Sequence, residues 1–159
     1  MAEKGTYIYE WPRPMVTADA AVFSFAHGKA WLLLVHRKND PFAGHWAIPG
    51  GFLELDEELE DAAARELEEE TGLAGIPLEQ IHTFGALGRD PRGRLITVVY
   101  MGIIEDGQPP VTGGDDAADA RWFDIEHLPE NLAFDHDVVS AFAIATLKGT
   151  ATYRRSIGA

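Results

Sequence analysis

The segment from Glu57 to Thr71 constrains the fold more than any other part of the chain. It is helical in composition and ends at Gly72, where a C-cap glycine belongs. On a wheel of about 100° per residue with Leu59 at zero, Ala63 and Leu67 fall at roughly 40° and 80°, and Ala62 at roughly −60°. That stripe should face a core, yet Glu66 falls near −20° and Glu70 near +20°, in its middle. Glu58, Glu60, Asp61 and Glu68 spread round the outside, as solvated charges do. Two carboxylates one turn apart on an inward face repel each other and carry a desolvation cost unless a positive partner meets them. A hard divalent cation with oxygen ligands, Mg²⁺ or Mn²⁺, is the economical partner. Glu69 lies at the edge of the stripe, close enough to join, and Arg65 can pair with it from four residues earlier. The competing account is a solvated acidic helix whose ends lie elsewhere.

Charge sharpens the point. The net charge is −13, and residues 54–70 hold ten carboxylates against the single Arg65. So acidic a chain lacks the general attraction that drives binding to a nucleic-acid backbone. At 159 residues one domain is expected over residues 1–159, with an arm over about 1–14 and a loose tail over about 148–159. Cysteine is absent, so disulfides, a redox pair and a thiolate zinc site are excluded. No apolar run is long enough to span a membrane, and the first residues show no apolar core before a small-residue cleavage site. No membrane association and a cytoplasmic location are therefore expected.

Strands are predicted over residues 16–26 and Ala30–His36, with His27-Gly28-Lys29 as the hairpin turn. Asn39–Gly44 reads as a loop, and His45–Ile48 as a short strand that stops at Pro49-Gly50-Gly51. Further strands are expected at Ile81–Leu87, Leu95–Ile104 and Arg121–Ile125, a loop over Gly107–Asp116, and a final helix over Val138–Leu147. Strands on both sides of a long middle helix, with a second helix at the end, suggest a mixed sheet covered by helices, an α/β fold.

From Gly51 through Glu57, Arg65, Glu66, Glu69, Glu70 and Gly72 to Leu73, the chain matches the Nudix box, G-x5-E-x7-R-E-U-x-E-E-x-G-U with U aliphatic, at every fixed position. PFAGHWAIPGGF before the box and ARWFDIEHLP after it are similar to what Nudix hydrolases carry there. The resemblance implies a Nudix fold, an α/β/α sandwich with a mixed sheet, and hydrolysis of a nucleoside diphosphate linked to some group X. It also implies roles for single residues. Glu66 and Glu70 would be the principal metal ligands, Glu69 a further one and the Gly50 carbonyl another, while Glu57 and Arg65 would brace the loop–helix junction. A further acid outside the box, acting as metal ligand or as base, falls at Asp116, six residues before Trp122; Asp stands where Glu is common, so its reach is shorter. The glutamates Glu69 and Glu70 are the other catalytic candidates to take the attacking water's proton. The other account of Asp115-Asp116 is an ordinary loop turn.

YEWPRPMVTADAAVF, RDPRGR and LAFDHDVV are similar to the bacterial and archaeal ADP-ribose pyrophosphatase branch of that family. The branch implies Mg²⁺-dependent cleavage of ADP-ribose to AMP and ribose 5-phosphate by a homodimer. It includes regulators that join such a domain to a DNA-binding winged helix; with this charge and length, nucleic-acid binding is not expected. Two alternatives stand beside that substrate: a (d)NTP or another nucleotide sugar, and a non-catalytic sensor of an ADP-ribose-like ligand. Few cations are available to meet a diphosphate, so Arg37, Arg89 and Arg92 are candidate phosphate contacts, although arginine in a DPRG turn is also routinely solvated. Trp46 and Phe134 are candidates to stack on a base or ribose, or core residues. His136 is a ligand or base, or a hydrogen-bonded structural histidine.

Overall fold

The computed structural model describes residues 5–158. In chain order the elements are β1 (Met15–Ala26), β2 (Lys29–Arg37), β3 (Trp46–Ala47), β4 (Gly50–Phe52), α1 (Leu59–Thr71), β5 (Glu79–Phe84), β6 (Leu95–Ile104), β7 (Ala117–Asp124), α2 (His136–Lys148) and α3 (Ala151–Ile157). The first four residues of the expected arm and Ala159 of the expected tail lie outside the described residues.

The strands form one mixed sheet with β1 as its axis. Along one edge β1 runs parallel to β6, from Met15 opposite Leu95 to Ser24 opposite Ile104, and β5 adds antiparallel to β6. Along the other edge β1 meets two partners in turn, β4 beside Thr17–Asp19 and β2 beside Phe23–Ala26. Beyond the hairpin β2 pairs with β7 and β3. The two strands therefore part, and the segment from Trp46 to Phe52 fills the fork between them.

Alternation along β1 explains the layers. Ala18, Ala20 and Val22 join a core with Ala62, Ala63 and Leu67 of α1. Ala21, Phe23 and Phe25 join a second core with Val139, Ala143 and Leu147 of α2, on the other face. With both faces buried, β1 and β6 read as almost unbroken apolar runs. Of the polar residues that interrupt them, all buried, Thr17, Asp19 and Thr97 lie at the end of the sheet where β4 pairs, and Ser24 lies opposite Trp31 of β2. Among the described residues no helix is long and apolar enough to cross a membrane.

Four boundaries differ from expectation. Pro49-Gly50-Gly51 does not end the sheet, because Gly50–Phe52 pairs with β1 across the fork. β7 starts at Ala117 rather than Arg121, since β2 offers pairing partners as far as Arg37 across a bulge. β5 ends at Phe84 and does not reach Leu87. The expected loose tail contains α3: the Thr150 side chain caps it by accepting from the Tyr153 N–H at 3.1 Å, and Tyr153 and Ile157 pack on the second core.

Candidate active site

A cleft of about 270 Å³ opens at the fork. Its acidic wall comes from α1. Glu70 is 9% exposed, and its Oε2 accepts the Gly50 N–H at 3.0 Å, tying the helix to β4. The carbonyls of Thr71 and Glu70 accept from Thr112 and Gly114, so the loop after β6 closes on the C-terminus of α1 and brings Asp115 and Asp116 to the cleft. Asp116 is exposed and accepts from the Asn39 amide at 3.1 Å.

Helix α1 begins at Leu59, so Glu57 stands just before it, where its Oε1 accepts the Glu54 N–H at 2.8 Å. Arg65 grips Glu57 through two nitrogens, at 2.7 and 3.0 Å, and the Phe52 carbonyl at 3.1 Å. Its remaining Nη1 reaches Glu66 at 2.8 Å and Glu69 at 3.3 Å. One guanidinium thus ties the loop after β4 to the start of α1 and orients two further glutamates. Hydrogen bonding to Arg65 holds the Glu57 carboxyl below its ordinary range.

Two glycines make room for the acids. A Cβ on Gly51 would lie 2.4 Å from the Glu66 carboxylate, and one on Gly50 would lie 1.9 Å from Asp19 Oδ1 and 2.7 Å from the Ala18 carbonyl. The two obstacles differ in kind: a side-chain end can swing aside and backbone cannot. Gly51→Ala is expected to melt close to wild type while losing activity by about 10- to 100-fold as Glu66 moves. Gly50→Ala is expected to lose about 1–3 kcal/mol of stability. Thermal melts beside turnover check both; equal effects of the two substitutions on stability would contradict the assignment.

Burial acts on the acids as it must in a poorly solvated wall. It pushes Glu70 up to about 8, with Glu66 and Asp19 adding repulsion, and it pushes Asp19 up to about 7 against the hydrogen bond from Thr97. Glu66 is raised by the same cause, opposed by Arg65. Among the described residues no three His, Asp or Glu side chains stand close enough to chelate a cation as placed.

The opposite wall is cationic and aromatic. Among the described residues Arg37 donates only to carbonyls, those of Pro41 at 2.9 Å and Asn39 at 3.5 Å, and its guanidinium lies 4.9 Å from the Phe134 ring. Burial lowers its pKa, and nearby Arg92 lowers it further. Arg92 is held by Asp90 at 3.0 and 2.8 Å and lies between the rings of Phe52 and Phe134, at 5.0 and 5.3 Å. Arg89 is committed to Asp135 by two bonds, at 3.0 and 2.7 Å, and its side chain is 4% exposed. Phe134 also lines the cleft, packed on Phe42.

Trp46 is not brought to the cleft. It packs edge-on against His36 and Phe123, with Arg121 over its face, so stacking on a substrate gives way to a role in the second core. Asp19 escaped the sequence reading. It is 5% exposed, its Oδ2 accepts from Thr97 Oγ1 at 2.6 Å, and it lines the cleft beside Gly50. The available signal was a lone acid inside an apolar strand. His136 is buried, lines the cleft and accepts the Ile48 N–H on Nδ1 at 3.0 Å. Burial lowers its pKa to about 4.

A fork-bound acidic helix inside an α/β/α sandwich defines a class, and comparison with known proteins agrees. The profile of the NUDIX domain matches residues 13–142, and the chain belongs to the Nudix family. It is 43% identical over 108 residues to an ADP-ribose pyrophosphatase of Methanocaldococcus jannaschii, covering 68% of this chain and 62% of that one. It is 36% identical over 149 residues to the ADPR responsive transcriptional repressor NtrR of Acinetobacter baylyi, covering 91% and 58%. The chain thus spans about three fifths of the length of these curated relatives. The NUDIX domain of Shewanella oneidensis NrtR, solved with ADP ribose, superposes with a TM-score of 0.77 at 32% identity, covering 86% of this chain and 90% of that one.

Proposed function

We propose that this chain is a divalent-metal-dependent pyrophosphohydrolase that cleaves ADP-ribose to AMP and ribose 5-phosphate. The observation that carries the reading is the opposition, across one cleft, of buried carboxylates and an arginine wall in which Arg37 has no carboxylate partner among the described residues. A diphosphate would bridge such walls: its anionic oxygens would meet the arginines, and a cation held by the glutamates would offset the repulsion between the two sets of negative charge.

The donor set fits Mg²⁺, with Mn²⁺ as a substitute. Glu66, Glu69 and Glu70 offer hard oxygens, Arg65 leaves further carboxylate oxygens of Glu66 and Glu69 unengaged by it, and the glycine pair leaves backbone close to the acids. These three glutamates and the Gly50 carbonyl would hold the ion, which when bound supplies charge neutralisation and a more acidic water. In the reaction a water oxygen bonds to one phosphorus as the bridging P–O bond breaks. The proton released passes to a carboxylate at the cleft mouth, Glu69 or Asp116.

The substrate rests on the named activity of the pyrophosphatase relative and on the ligand of the NrtR domain. A cytoplasmic homodimer that binds neither nucleic acid nor membrane completes the proposal; the net charge of −13 supports the former exclusion, and exposed Ile8, Trp11, Leu87 and Val138 are available for a partner. The repressor relative favours a second reading, a sensor that binds without turnover.

The test is hydrolysis of ADP-ribose beside nucleotide sugars, dinucleotides and (d)NTPs, each with Mg²⁺ and with chelator. Chelator-sensitive turnover of ADP-ribose supports the proposal. Turnover of another member replaces the substrate, and binding without turnover replaces the enzyme by the sensor. Arg37→Ala is expected to raise KM for ADP-ribose by about 10- to 100-fold, the scale of lost hydrogen bonds to a charged group, with a smaller change in kcat. An unchanged KM would remove Arg37 from the substrate site.

A further inference from the structure

The two short motifs RDPRGR and LAFDHDVV meet in the wall of the cleft. Arg89, from RDPRGR, holds Asp135, from LAFDHDVV, through two bonds at 3.0 and 2.7 Å. Asp135 is the N-cap of α2, and its carbonyl accepts from Val138 and Val139. The chain from Asn131 to His136 then clamps the fork segment at three points. The Asn131 carbonyl accepts from the Trp46 N–H at 3.0 Å, and the Trp46 carbonyl accepts from the Ala133 N–H at 2.8 Å. His136 Nδ1 accepts from the Ile48 N–H at 3.0 Å. The last contact stands two residues before Gly50, whose own N–H is taken by Glu70. Between them the Pro49 carbonyl accepts from the Ala20 N–H at 2.8 Å.

We propose that His136 is a positioning residue whose Nδ1 sets the course of the Ile48–Gly50 backbone, and thereby where the Gly50 carbonyl stands relative to Glu66 and Glu70. The inference rests on the metal reading given above. Ile48 is 2% exposed, so loss of the ring nitrogen leaves its N–H a buried donor without its partner, and the backbone shifts to satisfy it. Because Nδ1 accepts, the ring proton sits on Nε2, which faces Asp19 Oδ2 at 4.0 Å, beyond direct hydrogen-bonding distance. The working nitrogen is thus the one turned to the backbone. Arg89 acts one step further back by fixing the start of α2. This accounts for an arginine in the cleft wall whose guanidinium is spent on an aspartate.

The test is direct binding of Mn²⁺, by the resonance of the free ion, to wild type, His136→Asn, His136→Gln and His136→Leu. Asn places an acceptor oxygen near the Nδ1 position, Gln places its amide near Nε2, and Leu supplies neither. The expected result is affinity within about threefold of wild type for the Asn variant, and roughly 10- to 100-fold weaker binding for Gln and Leu, the scale of losses when a group orienting a ligand is removed. KM for ADP-ribose at saturating metal should move less than the metal affinity. Wild-type affinity in the Leu variant overturns the proposal, and so does recovery by Gln but not by Asn. If the Leu variant does not fold, the contrast of Asn with Gln decides alone. Absence of Mn²⁺ binding by wild type overturns the metal reading itself and the proposal with it, a result distinct from equal binding by all four proteins.

Discussion

Replacing Glu70 by Gln is expected to abolish chelator-sensitive hydrolysis while making the metal-free protein harder to unfold. Glu70 lies inside the apolar stripe of α1, and burial pushes it from 4.5 up to about 8. At about 1.4 kcal/mol per pH unit, that rise corresponds to up to about 5 kcal/mol of cost for the ionised carboxylate above pH 8. Gln keeps the volume and the oxygen that accepts the Gly50 N–H, and removes the charge. Recovery of even about 1 kcal/mol of that cost would raise Tm in chelator by about 2–4 °C. Loss of a direct ligand should exceed the roughly 100-fold lost with supporting groups. A variant with undiminished turnover, or one that melts below wild type in chelator, contradicts this account of Glu70.

Without metal, the protein should lose stability as pH rises from about 4.5 to 8. Asp19 is raised from 3.8 to about 7, and Glu70 from 4.5 to about 8. Each binds a proton in the folded state that the unfolded chain has released, so its contribution is full below its unfolded value and disappears as pH passes the folded one. His136 works the other way. It is lowered from 6.5 to about 4, so the unfolded chain binds the extra proton between those limits and stability from His136 grows until pH 6.5. One acid is therefore offset below pH 6.5 and neither above it, which makes the loss steepest between pH 6.5 and 7. From pH 5.5 to 8 the total is up to about 4 kcal/mol. Urea midpoints in chelator should fall over that range, Asp19→Asn and Glu70→Gln should each flatten the fall, and Mg²⁺ should stabilise more at pH 8 than at 5.5. A midpoint that rises with pH in chelator would contradict the assignment.

What was legible in the sequence is what repeats along it or depends on local geometry. The 3.6-residue period exposed Glu66 and Glu70 because a helix writes its inward face at fixed spacing, and Gly72, at φ 78°, stands where helix termination requires a left-handed residue. β1, β2 and β6 were legible because both their faces are buried. The fork was not. Gly50–Phe52 becomes a strand only because β1 has a vacant edge beside Thr17–Asp19, a fact about another segment. Asp19 was hidden for the same reason: its environment comes from Thr97 and Gly50, distant in the chain. Helix α3 is short, and its core contacts through Tyr153 and Ile157 depend on where α2 ends. Trp46 shows the limit of reading residue types, since a ring suited to stacking on a base is equally suited to His36 and Phe123.

The most direct measurement follows the phosphorus resonances of ADP-ribose in the presence of the protein and Mg²⁺. Both diphosphate signals should decline together and be replaced in equal amounts by two phosphomonoesters, AMP and ribose 5-phosphate, and chelator should halt the conversion. Diphosphate signals that broaden on binding but persist unchanged in area would contradict hydrolysis, and would make this cleft a receptor for the nucleotide rather than the place where it is cut.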